Sequence, residues 1–337
     1  MSKLSKPFQT HQQQIKLLRS RGMEINQGNQ TSKAMRFLER ENYFSVINGY
    51  KLIFLEKDRL KGKPLTPEKF LVGTKFDEIA SLYNFDRDLR NLLLNYMLKY
   101  ESNLKSVISY RFSEEHANQS HPYLQLDNYR SGNRTEDTKT VLSTISTLSA
   151  IISRKGGKKG NAIYHYVDKH NHVPLWVLVK YLTFGNINFM YESLPDKIQN
   201  KIAKDFSSEY RRSYGLKSDR KFLVTKEMIS EINKAINSYR NVAAHEEIMY
   251  KHVVTKTVGH KNIFNLFGMK TSDNDVTNVF VLIMMLRVAL TKQDYKNLFK
   301  SLVNLFNDYQ NELVTVPFSD VMKIMGFDDN WKQSLKA

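Results

Sequence analysis

The sequence contains no cysteine. That removes disulfides, thiolate metal sites and a cysteine nucleophile together, and it fits a reducing cytoplasm. Acidic residues are the minority charge: 34 Asp and Glu stand against 51 Lys and Arg, for a formal net charge of +17. Proline (7) and glycine (14) are both sparse, which favours helices over turn-rich sheets. Long hydrophobic runs are missing as well. The longest, Val279 to Leu286, spans eight residues before Arg287 ends it, whereas a bilayer span needs roughly 20. The amino terminus, MSKLSKPFQTHQQQ, lacks the apolar stretch of a secretion signal. No internal repeat or low-complexity tract occurs. These absences lead us to expect a cytoplasmic protein with no membrane segment and no bound metal or cofactor.

What is present argues for a folded, basic, helical chain. An apolar share of 41% and an aromatic share of 12% suffice for a substantial core. The charge excess fits a polyanionic partner, RNA or DNA, or else a merely basic protein; charge alone does not choose. Apolar residues recur at spacings of three and four, so the expected class is all-α. Short helices are expected near Gln12 to Arg21 and Ser32 to Arg40. Thr66-Pro67-Glu68 reads as a helix start with Pro in the first turn. From Asp86 to His116 runs the longest helical pattern, apolar on most sides and hence a central core helix. Glu101 lies inside it and needs a cationic partner, with Arg90 or Arg87 as candidates. A helix near Lys139 to Ile152 leads into a flexible cationic loop at Ser153 to Gly160. Pro174 opens a further helix that Gly185 is expected to close. Residues 206–222 read as polar and basic. Further helices are expected over Thr225 to Tyr250, Val276 to Ala289 and Tyr295 to Glu312, and Tyr250 to Val258 is the best strand candidate.

The informative segment is Tyr239-Arg240-Asn241-Val242-Ala243-Ala244-His245. On a helix, Met228, Ile232, Ala235, Ile236, Tyr239 and Ala243 form one apolar stripe. Asn241 and His245 share the face nearly opposite, and Arg240 sits at the edge of the stripe. Histidine titrates near neutrality and suits proton transfer. Arginine grips phosphate through a rigid fork of donors. Asparagine can orient an imidazole or bond a phosphate oxygen. The set suits phosphodiester cleavage in RNA: His245 moves a proton, Arg240 offsets charge on the phosphorane-like transition state, and the ribose 2′-hydroxyl attacks from within the substrate.

Arg240, Asn241 and His245 resemble the signature of HEPN-domain ribonucleases. Other segments are similar to the AbiD/AbiF family of bacterial abortive-infection proteins. They are Lys6-Pro7-Phe8 with Gln14-Ile15-Lys16-Leu17-Leu18 and Gly22, Phe37-Leu38 with Asn42-Tyr43-Phe44 and Gly49-Tyr50, and Phe85-Asp86-Arg87 with Leu89-Arg90. Pro174-Leu175-Trp176, Phe184-Gly185, and Gly326-Phe327 with Trp331 complete the series in order along most of the chain. The resemblance implies a HEPN-type helical bundle over 71–337, with an N-terminal helical region at 1–70, additional C-terminal helices and a basic loop insertion around 153–161. It implies a metal-independent endoribonuclease, a toxin-like anti-phage effector, catalytic roles for Arg240 and His245 with Asn241 in support, and restraint by a small noncoding antitoxin RNA. HEPN motifs usually act in pairs. Because Arg240 and His245 lie about 140° apart on an ideal helix, a homodimer or a second motif is expected to complete the site. The alternative is a non-cleaving HEPN-fold module that only binds RNA.

Other candidates compete with simpler readings. Arg111 and His116 repeat the spacing and are the possible second motif, but Glu115 offers Arg111 an ordinary ion pair. Lys155, Lys158 and Lys159, with Arg211 and Arg212, are either RNA-backbone contacts or solvated cations; Lys217, Arg220 and Lys221 share that choice. Tyr43, Phe44 and Tyr50 are read as core rather than as base-stacking platforms. His165, His170 and His172 near Asp168 match no zinc spacing, and His252 falls beyond the motif helix.

Overall fold

A computed structural model describes residues 7–58, 60–131, 135–216, 223–255, 260–269 and 276–336. The chain is all-α, as expected. In order, the helices are α1 (His11–Ser20), α2 (Asn29–Glu41), α3 (Phe76–Glu115), α4 (Thr135–Gly156), α5 (Ala162–His170), α6 (Leu175–Leu178), α7 (Phe184–Ser193), α8 (Asp196–Tyr214) and α9 (Lys226–Ala244). They continue with α10 (His260–Leu266), α11 (Val279–Ala289), α12 (Lys292–Tyr309), α13 (Phe318–Ile324) and α14 (Trp331–Leu335). Within the strand expected over 250–258, Val254–Thr255 form β1, paired antiparallel with β2 (Val276–Thr277); residues 256–258 lie outside the described residues. Among the described residues no helix is long and apolar enough to cross a membrane.

Local chemistry explains several departures from the sequence pattern. Thr66-Pro67-Glu68 does not start a helix. Glu68 is instead drawn into ion pairs with Arg21 at 2.8 Å and Lys51 at 2.7 Å. The helix instead begins at Phe76, with Asp77 and Glu78 in its first turn to match the positive end of the helix dipole. Gly185 does not end a helix either. The break falls earlier, and Thr183 caps a new one by accepting the Asn186 N–H. Half of the expected cationic loop is helical, since Ser153 to Gly156 form the last turn of α4. Residues 206–214 belong to α8, which buries Ile198, Ile202, Phe206 and Tyr210 at four-residue spacing. Lys217, Arg220 and Lys221 lie outside the described residues.

The chain divides into two compact units, neither continuous in sequence. The first comprises residues 1–92, 246–251 and 300–329. Phe85, Phe306, Tyr309, Phe318 and Phe327 form its edge-packed aromatic core. The buried carboxylate of Glu78 accepts the Val314 and Thr315 N–H groups at 2.7 Å each. Tyr50 is buried as expected, whereas Phe44, on a π-helical turn over Phe44–Asn48, is 71% exposed and Tyr43 is half-buried. The left-handed Asn42 before that turn rotates the chain so that Val46 and Ile47, not Phe44, enter the core.

The second unit comprises residues 93–245, 252–299 and 330–337. Within it α9 packs on α7, α8, α10 and α11. The hydroxyl of fully buried Tyr100 donates to Asn233 at 2.6 Å, fastening α3 to α9. On α11 every residue but Arg287 is buried.

Candidate active site

Thr225 opens α9 by accepting the Met228 N–H, and the helix then buries the stripe anticipated from spacing: Met228, Ile232, Ala235, Ile236, Tyr239 and Ala243. Tyr239 fixes the rotation of α9. Its hydroxyl donates to the carbonyls of His252 at 2.6 Å and Thr277 at 3.0 Å. His252 is therefore an anchor, and its Nε2 meets the Ser238 hydroxyl at 2.9 Å. With that face committed, Asn241 and His245 are exposed. His245 is the last residue of the helical turn, returning its N–H to the Asn241 carbonyl at 2.9 Å. Glu246 follows in the left-handed region (φ 56°), which stops the helix there. Among the described residues the His245 side chain makes no hydrogen bond or ion pair.

Arg240 faces differently. Its side chain is 30% exposed, and its Nε lies 4.0 Å from Oε2 of Glu101 on α3. Glu101 is thus paired within its own unit, and not with Arg90 or Arg87. Lys105 donates to its Oε1 at 2.7 Å and to the Leu182 carbonyl at the same distance. The structure brings Asn241 and His245 together and turns Arg240 toward Glu101. The Glu101–Arg240 approach was not foreseen, although a buried acid on a core helix was a signal that some cation had to meet it.

Arg90 and Arg87 have other partners in the first unit. Asp86, fully buried, accepts Arg90 Nη1 at 2.6 Å, the Tyr50 hydroxyl at 2.7 Å, and the N–H groups of Met249 and Tyr250 at 3.0 and 2.6 Å. Arg90 also donates to the Glu247 carbonyl at 3.2 Å, and Lys251 to that of Gly49 at 3.3 Å. A Cβ at Gly49 would lie in van der Waals contact with the Ile248 side chain. Arg87 pairs with Glu41 at 3.1 Å. The motif residues Gly49, Tyr50, Asp86 and Arg90 thus serve one purpose: they fasten the segment 247–251 into that unit.

The second spacing match does not form a matching site. Arg111 clasps Asp205 through two bonds of 2.5 and 2.7 Å and also bonds Glu114. Glu115, expected to hold Arg111, is instead engaged by Lys197 and Lys201. His116 packs against the Phe112 ring at 4.7 Å, and its burial pushes the imidazole below its usual pKa. Lys155 lies over the Tyr181 ring at the end of α4, while Lys158 and Lys159 are exposed. Arg212 pairs with Glu209, and Arg211 is half-buried beside it on α8. His165 and His170 share α5, whereas His172 meets the His121 ring at 4.7 Å. A cavity of about 450 Å³ opens between α3, α8 and α12, but its carboxylates are all engaged: Asp205 by Arg111, Glu209 by Arg212 and Asp294 by Lys99. It contains none of the α9 motif residues.

Comparison with known families settles the kinship. The family described as Abi-like protein matches residues 36–251, well over half of the chain. The chain belongs to the Abi-like family. This is the AbiD/AbiF-type abortive-infection family that the motifs resemble, and membership points to abortive-infection defence. The Abi-like span contains Tyr50, Asp86, Arg90, Arg240 and His245; the similar segments at 6–22 and 326–331 fall outside it. No curated protein and no solved structure matches the chain.

Proposed function

We propose that this Abi-like protein is a metal-independent HEPN-type endoribonuclease that acts as a toxin-like abortive-infection effector. The observation that carries the reading is the end of α9, where Asn241 and His245 stand exposed on adjacent turns and Arg240 is partly exposed beside them. An imidazole without a competing partner is available for proton transfer. A net charge of +17 draws an RNA backbone to the protein.

The reaction is a transesterification within the substrate. His245 takes the proton of a ribose 2′-hydroxyl, the 2′-oxygen bonds to phosphorus, and the bond to the 5′-oxygen breaks. The departing 5′-oxygen takes a proton from the imidazolium so formed or from water, leaving a 2′,3′-cyclic phosphate and a 5′-hydroxyl. Arg240 offsets the charge gathered on the phosphoryl oxygens. With Arg240 and His245 about 140° apart around the helix, one copy converges poorly on one phosphate. A homodimer that faces two α9 ends toward one another supplies the missing member of each pair. Exposed Lys158 and Lys159 provide backbone contacts, and a small noncoding RNA bound to the same surface would hold the enzyme in check.

Purified protein incubated with total RNA in EDTA tests this. Wild type should shorten the RNA and leave cyclic phosphate ends. His245→Ala and Arg240→Ala should lower the rate by at least about a hundredfold. If wild type leaves RNA as intact as the variants do at high enzyme concentration, the enzymatic reading fails. Salt-sensitive binding by all three proteins would then identify a non-cleaving RNA-binding module.

A further inference from the structure

An arginine at the end of a helix has many rotamers to lose before it can grip a phosphate. Arg240 is restrained from one side. Its Nε is buried and lies 4.0 Å from the equally buried Oε2 of Glu101; neither atom has a hydrogen-bond partner among the described residues. The rest of Glu101 is fixed. Its other oxygen holds the Lys105 ammonium at 2.7 Å, and that ammonium is held by the Leu182 carbonyl at 2.7 Å. The carboxylate therefore cannot rotate away without breaking its ion pair with Lys105. Its spare oxygen faces the Nε edge of the guanidinium across a gap about 1 Å longer than an ordinary N–H···O bond. The exposed part of Arg240 is the remainder, the two η nitrogens. These form the edge that makes a two-pronged contact with an anion.

We propose that Glu101 is a positioning residue for Arg240. When an anionic phosphate engages the η edge, Nε closes on Oε2, and the guanidinium is held between a fixed carboxylate behind and the phosphate in front. Lys105 keeps Glu101 in place and offsets its charge, so the acid orients the arginine without repelling the RNA. The phosphate as ligand rests on the ribonuclease reading above; the Glu101–Arg240 coupling does not.

Two measurements on the full chain separate these. The first is the rate at which phenylglyoxal, an arginine-selective reagent, labels Arg240, read by peptide mass spectrometry. Glu101→Gln should raise that rate several-fold when both proteins are labelled well below their melting temperatures; an unchanged rate overturns the inference, whether or not the protein cleaves RNA. The second is cleavage in a double-mutant cycle. Glu101→Gln should lower kcat by about ten- to a hundredfold, the loss expected for a misplaced catalytic group, with KM within about twofold. It should cost nothing further in an Arg240→Ala background. Additive losses would show that Glu101 acts elsewhere and overturn the inference. If Glu101→Gln fails to fold, Glu101→Asp takes its place: it retains the Lys105 pair, draws the spare oxygen back, and should also raise labelling. Wild type that cleaves no RNA would sink the ribonuclease reading and leave the labelling result to decide the pairing.

Discussion

Asp86 and Arg90 meet at 2.6 Å one turn apart on α3, with the carboxylate wholly buried and the guanidinium 5% exposed. Neither charge has water to fall back on. Asp86→Ala strands Arg90 and also the N–H groups of Met249 and Tyr250. The expected loss is about 3–5 kcal/mol, the usual cost of breaking a buried pair from one side. The urea-unfolding midpoint measures it; a change below about 1 kcal/mol would refute the structural role assigned to this cluster.

Arg111 separates structure from chemistry. It holds Asp205 through two bonds and is about a quarter exposed. Arg111→Ala should lower stability by about 1 kcal/mol, the scale of a well-formed partly exposed pair. RNA cleavage should remain within about twofold of wild type. A collapse of activity in Arg111→Ala, matched by His116→Ala, would show that this pair is a working second motif.

The pH dependence of stability turns on His121. Its Nε2 accepts the Val173 N–H at 3.2 Å, so it must be unprotonated there. Burial, with the neighbouring His172 adding to it, lowers its pKa below the ordinary value of about 6.5. The unfolded chain therefore takes up the proton first. The contribution is complete above pH 6.5 and is lost as pH falls below that value. His116 is lowered in the same sense, again chiefly by burial. Melting temperature should fall between pH 7.5 and 5.5, and His121→Gln should flatten that dependence. An equally steep curve for the variant would exclude His121 as a contributor.

The helices legible in the sequence were those whose pattern is dictated by burial of one face. The stripe from Met228 to Ala243 emerged as expected because packing on a core and helical period act on the same residues. Boundaries set by a single side chain were harder to read: Thr183 starts a helix where Gly185 seemed to end one, and Glu68 is used by cations far along the chain. Phe44 shows why a hydrophobic residue alone does not mark a core, since the left-handed turn at Asn42 decides where it points. The exposed positions of Asn241 and His245 followed from geometry on one helix. The approach of Glu101 to Arg240 could not be read, because it joins residues brought together only by tertiary packing of α3 and α9.

The sheath of neighbours around α11 has a cost before it exists. A helix of Val279 to Ala289 with only Arg287 outside the core carries no solvent-facing side of its own. On a nascent or thermally opened chain it is a sticky segment, free of proline and nearly free of charge, that self-associates unless α8 and α9 reach it first. Recovery of this protein after heating should therefore be limited by aggregation, and lower concentration or a chaperone should restore more of it than slower cooling does.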